Sequence, residues 1–397
     1  MRRSIDVSSA LVAFGIIVLT ALSLATLGEV PSQRSSSAPS ITATPLPPVD
    51  PTPYGGPIAV GTPLPTATPA AIPIQPSNAG QLTERMLLGE PIPATLSTGV
   101  FSRDGQWFVA DWNDVTVWQM PQGVVTRTLP LLRTHWGPLE LSPDGEHMVV
   151  GNHPELGWVE LWHIPTGEMV RQHRGGQQVR ALGFNASGTL LAAGRGDGSV
   201  TVWEVETGDL LHELAKYEYS VCMGMAFHPE RDEIAASSTD NTVRIWDAWS
   251  GLVLDELSIP EPPLGCELSS LAYSPDGQML AGAMFWEKAI VLWEGNEFAA
   301  KLAHPEAGTT WQIAWSPDGR LIATTGYTYA EGTQIVLWDV EQREIAAALS
   351  PWRGVAAFSP DGAMLVAHKS IDLTGTLWTL GIPTHSTYLP LALRTVP

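Results

Sequence analysis

From about residue 96 to about residue 380, apolar and polar positions alternate in short runs, and the runs recur in a fixed order. One unit opens with "QIAW", turns through "SPDG", continues as "RLIATT", and after a polar stretch alternates again through "QIVLWDV". Other units add a tight turn at Gly167, Gly208 or Gly251 and then a fourth run such as "LLHEL". Alternation with period two marks half-buried strands. In the turns, Pro presets φ, Asp accepts local backbone donors and Gly supplies the left-handed conformation. Each unit therefore predicts a four-stranded antiparallel meander. The third run ends on a tryptophan seven times, at Trp118, Trp162, Trp203, Trp246, Trp293, Trp338 and Trp378, with separations of 44, 41, 43, 47, 45 and 40 residues. The turn is "SPDG" after Leu141, Tyr273, Trp315 and Phe358, and degrades to "SRDG" at Ser102, "NASG" at Asn185 and "HPERD" at His228.

A single meander cannot cover its own two apolar faces, so the units must stack, and radial stacking leaves only short, protected edges. The residue before the aromatic of the first run is mostly small: Gly183, Ala226, Ala272, Ala314 and Ala357, with Glu140 the exception. Crowding of first strands around a narrow axis predicts such residues. A closed ring also needs one strand from the far end of the chain. Two segments compete, Glu84–Leu88 and His385–Leu393, and the first is favoured.

The phrases "VRIWDAWSG" and "IVLWDVEQR", with "FSPDG" ahead of such runs, resemble WD40 repeats. The resemblance implies an all-β fold, a seven-bladed β-propeller of four-stranded antiparallel blades, over residues 81–390. The pattern departs from the family in two ways. Only Trp246 and Trp338 are followed by Asp, and the Gly-His dipeptide of many eukaryotic repeats is missing. The family's Asp-His-Ser/Thr-Trp hydrogen-bond network is therefore expected to be incomplete. Periplasmic TolB-like propellers also use the SPDG turn. The resemblance points to a bacterial-type, extracytoplasmic member.

That location comes from the N-terminus. Arg2 and Arg3 precede an uncharged apolar run from Ala10 to Leu27. The run is about 27 Å long as a helix, close to the hydrocarbon thickness of a bilayer. Residues 1–30 read as a signal-anchor, with a cleaved signal peptide as the alternative, and the two arginines send the rest of the chain outside. Residues 31–80 hold thirteen prolines among Ser, Thr and Ala and predict a disordered, extended linker. Residues 391–397 form a tail. The expected protein is tethered to the cell membrane by one N-terminal helix, or secreted if that helix is cleaved.

Charge and chemistry narrow the function by exclusion. Acids outnumber bases 41 to 21, a net charge of −20 that argues against nucleic acid and against docking on anionic lipid. No nucleophile elbow, metalloprotease helix, P-loop or dinucleotide fingerprint is present. No His pairs with another His or a Cys at metal-ligand spacing, so no metal or cofactor is expected. The first runs start at Thr98, Pro138, Ala181, Gly224, Ser270, Gln312 and Val355, which offer no acid, base or ligand set at the axis. Cys222 and Cys266 are the only cysteines and are read as free thiols, with a disulfide as the alternative. "RGD" at Arg195–Asp197 and the sequon "NAS" at Asn185 are read as turn residues rather than as adhesion or glycosylation sites.

The aromatics that the repeat does not use point to recognition. Trp112, Trp136, Trp158, Trp286, Trp311 and Trp352 lie in or beside second-to-third turns or connections between units. Tyr327, Tyr329, Glu155, Glu287 and Glu331 accompany them. Antiparallel geometry brings both kinds of connection to one end of the ring. Exposed aromatic clusters are typical of binding hot spots, which predicts a partner-binding face for a protein or another polymer on a non-enzymatic scaffold. The alternatives are a lactonase- or hydrolase-like propeller enzyme and a TolB-like envelope accessory.

Overall fold

The structure is a computed structural model of the 397-residue chain. It describes residues 73–88 and 98–379, except 112–114, 121–122, 130–136, 153–156, 176, 215–221, 239, 261–266, 307, 329–331, 350–351 and 370–374. The described residues all belong to one compact unit, Thr66–Pro397. The expected anchor, most of the expected linker, the competing closing segment His385–Leu393 and the tail lie outside them.

The described strands form seven four-stranded antiparallel sheets, six of them built from consecutive strands. Sheet 3 shows the plan: Val179–Phe184, Leu190–Arg195, Val200–Glu204 and Leu210–Leu214, paired in that order. The first strands of sheets 1 to 7 are Gly99–Phe101, Leu139–Leu141, Val179–Phe184, Met225–Phe227, Leu268–Tyr273, Gly308–Trp315 and Trp352–Phe358. Each packs against the first strand of the next sheet, and that of sheet 7 packs against that of sheet 1. Sheet 7 takes its fourth strand from the other end of the chain: Thr83–Leu88 pairs antiparallel with Gly375–Thr379. The favoured closing segment is the one used.

The first-to-second turns are built alike. In sheet 6 the Ser316 hydroxyl donates to Asp318 Oδ1 at 2.6 Å and accepts the Leu321 amide at 2.9 Å, while Asp318 accepts the Arg320 amide at 3.1 Å. The same set recurs at Ser102, Ser142, Ser274 and Ser359, all buried. In sheet 3, Asn185 takes the place of the Ser and accepts the Leu190 amide at 2.9 Å. In sheet 4, His228 Nδ1 accepts the Glu230 and Arg231 amides. The turns also interlock. A Cβ built on Gly319 would lie 3.9 Å from Pro275 of sheet 5, and one on Gly362 3.6 Å from Pro317 of sheet 6. One on Gly105 would lie 3.5 Å from Pro360, which carries the series from sheet 7 to sheet 1. Between sheets 3 and 4 the contact is a hydrogen bond, Asn185 Nδ2 to Asp232 Oδ1 at 2.7 Å.

The core lies between sheets, in a series of apolar clusters. Trp246, Trp293 and Trp338 are fully buried in it. The small first-strand residues have a cause in the packing of one sheet on the next. Each faces the following sheet, where an aromatic ring covers it: a Cβ on Gly183 would lie 3.3 Å from the Phe227 ring, and Ala272, Ala314 and Ala357 cluster with Trp315, Phe358 and Phe101. Glu140 holds the corresponding position in sheet 2. Burial there pushes its carboxyl up to about 7, against the pull of the Leu141 amide, which donates to Oε1 at 3.2 Å.

The boundary expected between linker and propeller at residue 80 moves upstream. Ile74 and Ala79 are buried in a cluster with strands of sheets 6 and 7, and the Ile74 amide donates to the Gly362 carbonyl at 2.8 Å. Apolar side chains in a Pro-rich stretch read as spacer because their partners are distant in sequence. Among the described residues, no helix is long and apolar enough to cross a membrane.

Candidate recognition face

The second-to-third turns and the connections between sheets share one end of the ring, opposite the interlocked turns. Four of the eight singled-out aromatics have described side chains there: Trp158, Trp286, Trp311 and Tyr327. Trp112, Trp136 and Tyr329 lie outside the described residues, as do Glu155 and Glu331, and only the backbone of Trp352 is described.

At sheets 5 and 6, Trp286 projects from a second-to-third turn, 62% exposed, its ring edge-on to Phe285 at 4.8 Å. The turn is fixed from below. Glu287 pairs with Lys301 at 2.5 Å, the Glu287 carbonyl accepts the Thr310 hydroxyl at 3.2 Å, and the Thr310 carbonyl accepts the Ser269 hydroxyl at 2.9 Å. Lys288 is buried and donates to Gln334 Oε1. Trp311 follows Thr310 at a bulge in the first strand, where the pairing skips from Thr310 to Gln312. The same skip falls at Arg180 in sheet 3 and Ser269 in sheet 5. A bulge re-aims the extra side chain, and here it does so at equivalent positions of several first strands. Trp311 and Tyr327 are half-buried, and Tyr327 stands opposite Thr309 across the pair.

At sheets 2 and 3 the centre is a guanidinium that the sequence reading treated as a turn residue. Arg195 is 1% exposed. Its Nη1 donates to the carbonyls of Gly157 at 2.9 Å and Gln177 at 3.3 Å, tying a second-to-third turn of sheet 2 to the connection that enters sheet 3. Its Nε donates to Thr201 Oγ1 at 3.3 Å, and the guanidinium lies 5.7 Å from the Trp203 ring. Arg195 Nη2 is buried without a hydrogen-bond partner. Burial lowers the arginine's affinity for its proton, which the Asp197 and Glu213 charges oppose. Above it, Arg174 is exposed and lies 5.8 Å over the half-buried Trp158 ring. Buried as it is, Arg195 offers no adhesion tripeptide, and Asn185, fully buried, offers no acceptor for a glycan.

The tryptophans that end the third strands do not share one hydrogen-bond partner. Trp338 Nε1 donates to the Thr324 hydroxyl at 2.9 Å, Trp293 Nε1 to the Ser258 carbonyl and Trp162 Nε1 to Glu160 Oε2. Trp118 Nε1 is buried without a partner. Among the described residues, no three His, Cys, Asp or Glu side chains come together as metal ligands. Cys222 is a free, buried thiol pushed up to about 12 by burial, and Cys266 lies outside the described residues.

Among the described residues, most exposed large apolar side chains are not on this face. Val124, Val125, Met169, Val170, Leu210, Leu252 and Val253 sit at the starts of fourth strands, on the outer wall near the interlocked turns. Arg195 was the residue that reading by motif missed. A signal for it existed: residues 171–195 hold four arginines and no acid, in a chain where acids predominate two to one.

The fold is a β-propeller of four-stranded antiparallel sheets, and parts of the chain match models of WD40 repeats. Residues 208–247 and 297–339 match the family model "WD domain, G-beta repeat", and residues 153–226 match "Anaphase-promoting complex subunit 4 WD40 domain". The chain is 30% identical over 103 residues to periodic tryptophan protein 2 homolog of Schizosaccharomyces pombe, covering 26% of this chain and 12% of that protein. It is 32% identical over 76 residues to U3 small nucleolar RNA-associated protein 13 of Saccharomyces cerevisiae, covering 19% and 9%. It is 33% identical over 173 residues to non-functional target of rapamycin complex subunit LST8-2 of Arabidopsis thaliana, covering 43% and 53%. The chain thus spans about half, or far less, of the curated relatives it matches.

Proposed function

We propose that this chain is a non-enzymatic interaction module, a closed seven-bladed propeller that binds a protein partner on the end bearing Trp158, Trp286 and Trp311. The observation that carries the reading is Trp286. It is a large aromatic held out in solvent on a turn whose base is tied down by an ion pair and two hydrogen bonds. Such a rigid, exposed ring costs little entropy to bind. Two of the similar proteins and families are named for the complexes they belong to, which favours a role in an assembly. The N-terminal arginines, apolar run and Pro-rich tract support an extracytoplasmic module tethered to the membrane.

The test is site-specific photocrosslinking in the native cell, with the crosslinker at position 286 or at position 252. Crosslinks to a discrete partner from 286 and not from 252 support the face. Crosslinks from 252 alone place recognition on the outer wall and overturn it. For the location, an external protease that spares the module in intact cells would refute the extracytoplasmic reading.

A further inference from the structure

At the junction of sheets 2 and 3, an acidic protein carries a local excess of positive charge. Arg174 and Arg180 are exposed and Gln177 is exposed between them. Arg195 lies directly beneath: a Cβ on Gly175 would fall 2.0 Å from its guanidinium. Among the described residues, the opposing charges are Glu267 toward Arg180, and Asp197 and Glu213 toward Arg195. Arg174 lies over the Trp158 ring, and Arg180 stands at a bulge that re-aims its side chain, with Glu267 as its opposing charge. Guanidinium forks match carboxylates in two-point hydrogen bonds, and the neighbouring indole gives an adjacent side chain an apolar seat.

We propose that Trp158, Arg174, Gln177 and Arg180 form the docking point for a short acidic segment of a protein partner. The inference rests on reading this end as the recognition face, and it adds the partner's chemistry. A long polyanion fits less well, because it would pass beyond the patch into the field of a chain with a net charge of −20. A peptide with two or three carboxylates can pair with the arginines without carrying a long anionic run into that field.

The experiment selects a random-sequence peptide library displayed on phage against the full-length chain, then measures recovered peptides by fluorescence anisotropy. The expected result is enrichment in Asp and Glu, with affinity reduced at least tenfold by the double substitution R174E/R180E. Affinity should be partly kept by R174K/R180K and should fall as salt rises. Unchanged thermal melting of each variant separates lost binding from lost folding. No enrichment in acids, or affinity indifferent to both pairs of substitutions, overturns the proposal. If the peptides depend on Trp286 and not on the arginines, the acidic-segment proposal fails while the face stands. If they depend only on Leu252, both fail. A labelled oligothymidine and vesicles of phosphatidylserine in phosphatidylcholine form the remaining arms. Tighter, arginine-dependent binding to either one overturns the choice of a peptide.

Discussion

The two ends of the ring are made by opposite rules. At the turn end, one local arrangement of Ser, Asp and Gly recurs in five sheets, and each turn packs on its neighbour. At the other end the described connections differ: one is pinned by Arg195, and another holds Trp286 out while its Lys288 is bound to Gln334. Residues that repeat are used up on joining sheet to sheet. Those that differ are held by partners particular to one place, which is where a specific surface can arise.

The largest expected effect tests how tightly that irregular end is built. Gly157 has a φ of +54°, and a Cβ there would fall 1.8 Å from the Gln177 carbonyl oxygen. Gly157→Ala should cost about 3 kcal/mol or more. Gly319→Ala at the turn end, with its nearest neighbour at 3.9 Å, should cost only the conformational term of about 1–2 kcal/mol. Equal urea midpoints for the two variants would break the contrast.

Next comes the pH dependence of the slot between sheets 2 and 3. The folded value of Glu140 lies above its unfolded value, so the protonated form is the stabilising one. That contribution is complete below about 4.5 and lost as pH rises through about 7. Glu140→Gln should therefore stabilise at pH 8, by up to about 3 kcal/mol, and have little effect at pH 4.5. His173 sets the opposite limb. Burial, with Arg171 and Arg195, holds it down to about 4, so its contribution is present above about 6.5 and lost as pH falls toward 4. His173→Gln should flatten the acid limb of a pH–stability curve.

A smaller effect belongs to the repeated turn. Ser316→Ala leaves the Leu321 amide buried without its acceptor and should cost about 1–2 kcal/mol by thermal melting. The smallest belongs to the face itself. Trp286→Ala should change stability by less than about 0.5 kcal/mol, and a larger loss would mean that the ring supports the fold rather than awaiting a partner.

The strands and turns were legible because they depend on neighbours in sequence. Alternation announces a strand, and Pro, Asp and Gly announce a turn. What joins one sheet to the next was not. The smallness of Gly183 is explained only when Phe227 of the following sheet is seen to cover it. Ile74 looks like spacer until Gly362 receives its amide. Arg195 sits in a tripeptide suggestive of adhesion, yet its partners Gly157 and Gln177 come from the preceding sheet and from the connection that follows it. The candidate face was readable as leftover aromatics, of which Trp158, Trp286, Trp311 and Tyr327 have described side chains at that end. Their exposure was not, since it depends on how each turn is held.

The closing pair sets the order of events in the making of this molecule. Thr83–Leu88 is made before the strands of the other six sheets, and its partner Gly375–Thr379 after all of them. Until then sheet 7 has no fourth strand and the ring has an open seam, with unpaired backbone on both sides. Loop closure over such a separation is slow. A nascent chain should pass through an open arc of stacked sheets that latches only after residue 379 has emerged.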